Sequence, residues 1–389
     1  MKLKDKIAYV HSGEWPSKSP STTFATNTVI GLSEIFNKCY FYIKRNSDKT
    51  SNEILENYFN TKKPDNLFIQ QVDKTLWDSN SLFFKKIYKQ LSKRIKNNQI
   101  DAVISRHVKF LPYLAKLKKK FEIPTFFESH DFYGDLSQRN DLNSEKKQKQ
   151  QKLEIRYIPQ ISGLICLQNS QKKIYRKYFP KIPIYIARTG IKKLYKNTNN
   201  HDRKFITYIG SLDPLKGVDF LIKSLHFTKS KPQLLIIGGK NQEEINRIEN
   251  LAENHYLKNK VKITGWINKK EMHNYLEKTK IGVIPLKNTF FNQYLTSPLK
   301  LFDYYSYGIP VIASDLPTTR ELIEENKTGL FFETENSQQL AQKIDDLIND
   351  ELKIKNMRSN IFKNSQKFLW TERAKVIYNF INAKEENHE

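Results

Sequence analysis

The chain has 389 residues, enough for two domains of ordinary size, each with its own core. Its two cysteines, Cys39 and Cys166, are too few for a disulfide framework and show no metal-ligand spacing, which suits a reducing compartment. The formal net charge is +25, and three readings of it stand side by side. Lysine clusters such as Lys116 with Lys118–Lys120, and the Lys/Gln run from Lys146 to Lys152, fit an anionic membrane surface. A lysine-rich composition that merely solvates helix faces accounts for the same number. Nucleic acid is the weakest partner, because no recognition motif and no interleaving of basic with stacking aromatic residues occurs.

No stretch approaches the roughly 18 apolar residues of a spanning helix. The apolar run Ile7–Val10 is too short for the core of a signal peptide. The expectation is a cytoplasmic protein, peripheral at the inner membrane face if the lysine clusters bind lipid.

Along the chain, Lys6–His11 reads as a first strand, followed by a Ser/Pro/Thr loop and a helix from Thr28 to Phe36. Strands follow at Cys39–Lys44 and Asn66–Gln70, then a helix over Asn80–Asn97. Further strands are read at Asp101–Ser105, Ile123–Glu128, Gly163–Leu167 and Lys181–Ile186. Short apolar runs separated by helical patterns make βαβ units and a parallel, doubly wound sheet. The polar stretch Lys192–Lys204 is the best connection between domains. Beyond it the alternation restarts with Phe205–Ile209, Gln233–Ile237, Val261–Thr264, Ile281–Pro285, Pro310–Ala313 and Gly329–Phe332. The expected architecture is α/β, with two Rossmann-like parallel-sheet domains facing an interdomain cleft. Ligands of such sheets sit at the carboxyl ends of the strands.

The segment Ser297–Asp315 carries the most chemistry. Ser297 is a natural N-cap, Pro298 suits the first helical position, Gly308 the left-handed residue beyond the helix, and Pro310 stops it. The free N–H groups of Leu299 and Lys300 make an anion site reinforced by the helix dipole. One turn deeper, the Asp303 carboxylate is placed to accept from the two hydroxyls of a ribose. Phosphate at the tip with ribose below describes a nucleoside diphosphate. Lys300 and Asp303 also fit an ordinary solvated surface pair.

This segment resembles the donor-binding motif of the retaining enzymes of glycosyltransferase family 4, which have the GT-B fold, in the variant Ser-Pro-x-Lys-Leu-Phe-Glu-Tyr. Other motifs follow in the family's order. Tyr208-Ile-Gly210-Ser211-Leu-Asp-Pro-Leu-Lys216-Gly resembles its Gly-Arg-x4-Lys-Gly loop. Leu235-Ile-Ile-Gly238-Gly resembles its strand-plus-glycine turn, and Val261-Lys-Ile-Thr-Gly-Trp266-Ile267 its base-binding turn. Phe368-Leu-Trp370-Thr-Glu-Arg-Ala374 looks like the terminal helix that returns to the first domain.

The resemblance implies an N-terminal acceptor-binding domain over residues 1–191 with the returning helix at about 368–389. A linker would span 192–204, and a nucleotide-sugar domain 205–367. It implies retention of anomeric configuration without a metal ion or cofactor, the diphosphate being held by Lys216, the glycine turn at Gly210 and the helix tip. Phe126-Phe-Glu128-Ser-His130 resembles the strand ending in a histidine near the transferring sugar, so His130 and Lys216 are the expected catalytic residues. Gly13, Glu14 and His107 are the acceptor-side candidates. The acceptor implied is a growing surface glycan or a lipid-linked one.

Departures from the family pattern are plain. Ser211 stands where the family has Arg, which leaves Lys300 or Lys287 to supply the cation. Asp303 replaces the usual Glu, and the first carboxylate of the Glu-x7-Glu pattern falls on Leu295. No Asp-x-Asp, P-loop, His-Glu-x-x-His or Gly-x-Ser-x-Gly motif occurs. A GT-B nucleotide-sugar epimerase, or a non-catalytic basic protein binding glycan or nucleic acid, remains as an alternative reading of the same motifs.

Overall fold

The computed structural model describes residues 3–17, 19–73, 80–137, 139, 144–196 and 203–383. The chain divides into two compact units, residues 1–190 with 368–389, and residues 191–367. In the first unit the elements are β1 (Lys6–Trp15), α1 (Pro20–Ser33), β2 (Lys38–Arg45), α2 (Ser51–Phe59), β3 (Leu67–Val72), α3 (Asn80–Lys96) and β4 (Ala102–Ser105). They continue with α4 (Leu111–Phe121), β5 (Thr125–Glu128), α5 (Ser144–Tyr157), β6 (Gly163–Cys166), α6 (Asn169–Tyr178) and β7 (Ile184–Ile186). The seven strands are parallel and ordered β3-β2-β1-β4-β5-β6-β7. Apolar strand residues such as Ile7, Phe41, Ile104 and Phe126 are buried on this sheet because helices cover it.

The second unit contains β8 (Phe205–Ile209), α7 (Val218–Phe227), β9 (Gln233–Ile237), α8 (Gln242–Asn254), β10 (Val261–Ile263) and α9 (Lys269–Glu277). Then come β11 (Thr279–Ile284), α10 (Leu299–Ser306), β12 (Val311–Ser314), α11 (Pro317–Arg320), β13 (Gly329–Phe332), α12 (Ser337–Ile348) and α13 (Glu351–Asn364). Its parallel strands are ordered β10-β9-β8-β11-β12-β13. Ile206, Ile236, Val283 and Ile312 of this sheet pack with Leu221 and Leu340 of the covering helices. The last helix, α14 (Trp370–Asn382), places Ala374, Ile377 and Ile381 in the core of the first unit. Gly31 of α1 permits that approach, since a side chain there would begin 2.7 Å from the Trp370 carbonyl oxygen.

Both sheets reverse their winding between the first and fourth strands, β1/β4 and β8/β11. Such a reversal opens a crevice at the carboxyl ends of the strands.

Three local expectations change. Strand β1 does not end at His11 but continues to Trp15, with an irregularity between Val10 and Glu14, so Gly13 and Glu14 lie in the strand and not in a loop. Helix α1 begins at Pro20, well before Thr28, because its Ser/Thr-rich first turns are buried rather than solvated. There Thr26 Oγ1 donates to the Thr22 carbonyl at 2.9 Å and accepts from the Trp15 indole at 3.1 Å. Of the expected 192–204 linker, residues 197–202 lie outside the described residues. Tyr195 is not loose; its N–H donates to the Ser306 carbonyl at 2.7 Å and its ring stacks on Tyr307.

Candidate functional site

In the second unit the motif residues converge at the β8/β11 reversal. Strand β8 delivers Gly210, whose N–H donates to the Ile237 carbonyl at 2.9 Å, the last rung of the β8–β9 ladder. Gly238 crosses directly against it. A side chain at 238 would begin 1.8 Å from the Gly210 carbonyl oxygen, so two bare turns meet and leave backbone accessible to a ligand. Gly238 also bridges Gly265, which brings the turn carrying Trp266 and Ile267 alongside. Trp266 is largely exposed, whereas Ile267 packs against Phe205, Leu235 and Ile237. Ser211 is held by its backbone, the Tyr208 hydroxyl donating to its carbonyl at 2.7 Å. Arg247 pins the same loop, reaching the Leu212 carbonyl at 2.5 Å and both Asp219 oxygens at 2.8 Å.

Lys216 closes a short 3-10 turn, Pro214–Lys216, capped by Asp213, whose carboxylate accepts from the Leu215 N–H at 2.8 Å. Burial lowers the Lys216 pKa against the opposing pull of Asp213, with Lys240 adding to the lowering. The position of Lys300 is more telling. Its Nζ is buried with no hydrogen-bond partner among the described residues, and lies 3.7 Å from the centre of the Tyr208 ring. Burial first, and Lys216 second, hold its pKa well below the ordinary lysine range. A buried ammonium without an acceptor costs several kcal/mol, which an arriving anion would offset. Lys300 therefore makes no surface pair with Asp303.

Helix α10 starts one residue later than the sequence suggests. Pro298, not Ser297, occupies the N-cap, with extended backbone and no side-chain cap. Ser297 is half-buried just before it. The cause is the preceding π-turn, Phe291–Leu295, which delivers Thr296 in extended conformation. Leu299 and Lys300 open the helix, so their N–H groups lack intrahelical partners. Gly308 ends it at a φ of 63°, and the Gly308 and Ile309 N–H groups return to the Tyr305 and Tyr304 carbonyls in a Schellman motif. Asp303 is half-buried one turn into the helix, and burial raises its pKa, opposed by Lys269. Leu295 is buried, so no carboxylate occupies that place. Lys287 lies 3.9 Å from Glu335 and is the less suitable anion partner.

In the first unit, Glu128 ends β5 fully buried. It accepts from the Tyr9 hydroxyl at 3.1 Å, contacts His130 Nε2 at 2.5 Å and pairs with Arg373 of α14 at 2.6 Å. Burial alone would raise its pKa, but Arg373, the His130 hydrogen bond and Arg106 outweigh it and bring the carboxyl to about 2. Burial, then Arg106, depress His130 to about 4 despite Glu128. His107 Nδ1 accepts from the Lys109 N–H at 3.1 Å, which fixes its tautomer. Burial, then Lys109, depress it to about 4 as well. The sequence reading missed His11, Tyr9 and Arg373. His11 was visible as the polar residue behind an apolar run, but nothing local marks Arg373, whose partner is 245 positions away.

Residues 191–368 match the family model described as glycosyl transferases group 1. Both parallel-sheet units together have the GT-B glycosyltransferase fold. A sucrose-phosphate synthase from Thermosynechococcus elongatus superposes with a TM-score of 0.74 at 14% identity, over 97% of this chain and 98% of that one. HepE of Anabaena, solved in complex with UDP and glucose, gives 0.74 at 15% identity, over 97% and 100%. Among curated proteins, an uncharacterized 41.2 kDa protein in the cps region of Klebsiella pneumoniae is 26% identical over 40% of each chain. The N,N'-diacetylbacillosaminyl-diphospho-undecaprenol alpha-1,3-N-acetylgalactosaminyltransferase of Campylobacter jejuni is 25% identical over 52% of this chain and 48% of its own. The matches thus span about half or less of these relatives.

Proposed function

We propose that the chain is a retaining glycosyltransferase that moves a sugar from a nucleoside diphosphate-sugar to a glycan or lipid-linked acceptor in surface polysaccharide biosynthesis. One observation carries this reading: the Lys300 ammonium sits beside the bare Gly210 turn at a strand-order reversal, buried without an acceptor, with the Lys216 charge close enough to lower its pKa. A diphosphate supplies the missing negative charge. As the sugar–phosphate bond breaks, the leaving diphosphate gains charge that Lys216, Lys300 and the α10 N-terminus stabilise. Asp303 takes the ribose hydroxyls, and the turn at Trp266 and Ile267 takes the base. His130, neutral by virtue of its depressed pKa, serves as a hydrogen-bond partner for sugar hydroxyls. HepE, solved with UDP, and the Campylobacter enzyme, whose name gives a diphospho-undecaprenol substrate, support the choice of donor and acceptor class.

No metal ion or cofactor enters this scheme, since lysines and helix N–H groups supply the positive charge. The exposed lysines of α4, Lys119 and Lys120, and those of α5 suit an anionic inner membrane face. Among the described residues, no helix is long and apolar enough to cross a membrane.

A thermal-shift screen of UDP-, GDP- and ADP-sugars, followed by transfer to a polyprenyl diphosphate-linked sugar, tests the reading. Binding with interconversion of the free donor and no transfer would point to an epimerase. Absence of nucleotide binding would leave a non-catalytic binding protein. Sedimentation with anionic vesicles at low salt tests the membrane surface.

A further inference from the structure

The carboxyl ends of β1, β4 and β5 gather groups of which the proposed chemistry uses only His130. Val10 pairs with Ser105 and Ser105 with Phe127, so the next residues, His11, Arg106 and Glu128, emerge side by side at the β1/β4 reversal. Phe24 of α1 lies against Arg106 and two neighbouring groups, His130 and Arg373. The His130 ring meets it edge-on at 4.6 Å, and the guanidinium carbons of Arg106 and Arg373 lie 5.0 and 5.2 Å from its centre.

His11 is only 6% exposed, yet neither ring nitrogen has a hydrogen-bond partner among the described residues. An imidazole carries one donor and one acceptor, and leaving each unmade in a buried place costs about 1–3 kcal/mol. Glycine at 13 is needed to keep this ring where it is, because a side chain there would begin 2.4 Å from His11 Nε2. Arg106 spends one contact on the Ser21 carbonyl at 2.6 Å, which fixes its orientation and leaves the rest of its fork.

The facing charges are unbalanced. Tyr9 and His11 come from β1, Arg106 and His107 from beyond β4, Glu128 and His130 from β5 and its turn, and Arg373 from α14. Lys44 of β2 and Lys109 add positive field at His107. The carboxylate among these groups, Glu128, is already engaged by Tyr9, His130 and Arg373. What is left over is a guanidinium fork and imidazoles whose protonation burial and the nearby cations disfavour, which is a receptor for an anion with several acceptor oxygens.

We propose that His11 and Arg106, beside His130, form a phosphate subsite in the first unit, and that it takes a phosphate group carried by the acceptor. The assignment to an acceptor rests on the glycosyltransferase reading; the subsite itself stands on the first unit alone. On binding, the anion offsets the burial and the Arg106 charge that depress the imidazoles, so they take up protons as phosphate enters.

The test uses the full chain with ring-labelled histidines and inorganic phosphate as probe, at low salt and about pH 6.5, where ordinary imidazoles titrate. Saturable shifts of the His11 and His130 resonances, with rising pKa values, are expected, while His226 and His255 of the second unit stay put. Arg106→Met, which keeps contact with Phe24, should weaken phosphate binding at least about tenfold, the loss of a charge-assisted donor. His11→Gln should weaken it too, and UDP-induced thermal stabilisation serves in both variants as the check that the fold is intact. Equal responses from all histidines, or none from His11 and His130, overturn the subsite. Displacement of phosphate by UDP overturns its assignment to the acceptor. Failure of the glycosyltransferase reading would show separately, as absent nucleotide-sugar binding with the phosphate response unchanged.

Discussion

The two strand-order reversals are built alike and charged differently. At β1/β4 the strongest charges answer one another: Glu128 is buried between Arg373, His130 and Tyr9, and against the upward pull of burial Arg373 and the His130 hydrogen bond bring its pKa to about 2. At β8/β11 they do not. Lys300 has no acceptor, Lys216 approaches it, and no described cation or donor hydrogen-bonds the Asp303 carboxylate. Satisfied burial serves stability, whereas unsatisfied burial is a debt that a ligand settles. The Glu128–Arg373 pair should resist mutation poorly as part of the fold, and Lys300 poorly as part of a binding site.

The largest expected effect breaks the internal pair. Arg373→Ala leaves the Glu128 carboxylate alone in the core and should lower the unfolding free energy by about 3–5 kcal/mol in urea titrations. The comparison fails if that variant is as stable as the parent. Lys300→Met should do the opposite, costing about 100- to 1000-fold in kcat/KM for transfer, as loss of one transition-state donor does, with stability unchanged or improved. If Lys300→Met unfolds the chain, the ammonium is structural after all. Asp303→Asn keeps the shape and one acceptor oxygen, so nucleotide affinity should fall by about tenfold, measured by calorimetry.

Acid titration sharpens the contrast further. Glu128 is depressed in the folded chain, so its contribution is present above the unfolded carboxyl range, near pH 4.5, and is lost as pH falls toward about 2. Arg373→Met should flatten that part of the stability profile. A titration of opposite sign concerns Glu154, buried on α5 where it accepts from the Tyr175 hydroxyl and the Tyr133 N–H, at 2.9 and 2.8 Å. Burial raises its pKa to about 8, so its contribution is complete below pH 4.5 and declines as pH rises through 8. Glu154→Gln should make stability less dependent on pH between those limits.

Much of the fold was legible because parallel strands buried on both faces leave an apolar run that needs no tertiary context. Phe205–Ile209, Gln233–Ile237 and Gly329–Phe332 occur with the residues read from the sequence. The first turns of α1 were not legible, since Ser and Thr signal solvent locally and only burial against Trp15 overrides them. At the second site, glycines and proline announced a turn and a helix end through their own backbone limits, which are local properties.

The order of strands, the burial of the Lys300 ammonium on Tyr208 and the embrace of Glu128 by Arg373 are decisions of another kind. The sequence by itself determined the alternation of strands and helices, the glycine turns, and which cations and carboxylates stand at strand ends. Only the tertiary structure decided which of those charges find a partner, because pairing depends on which strands become neighbours. That separation explains why Arg373 reads as an ordinary helix residue, and why Lys300 reads as a surface lysine until the sheet closes around it.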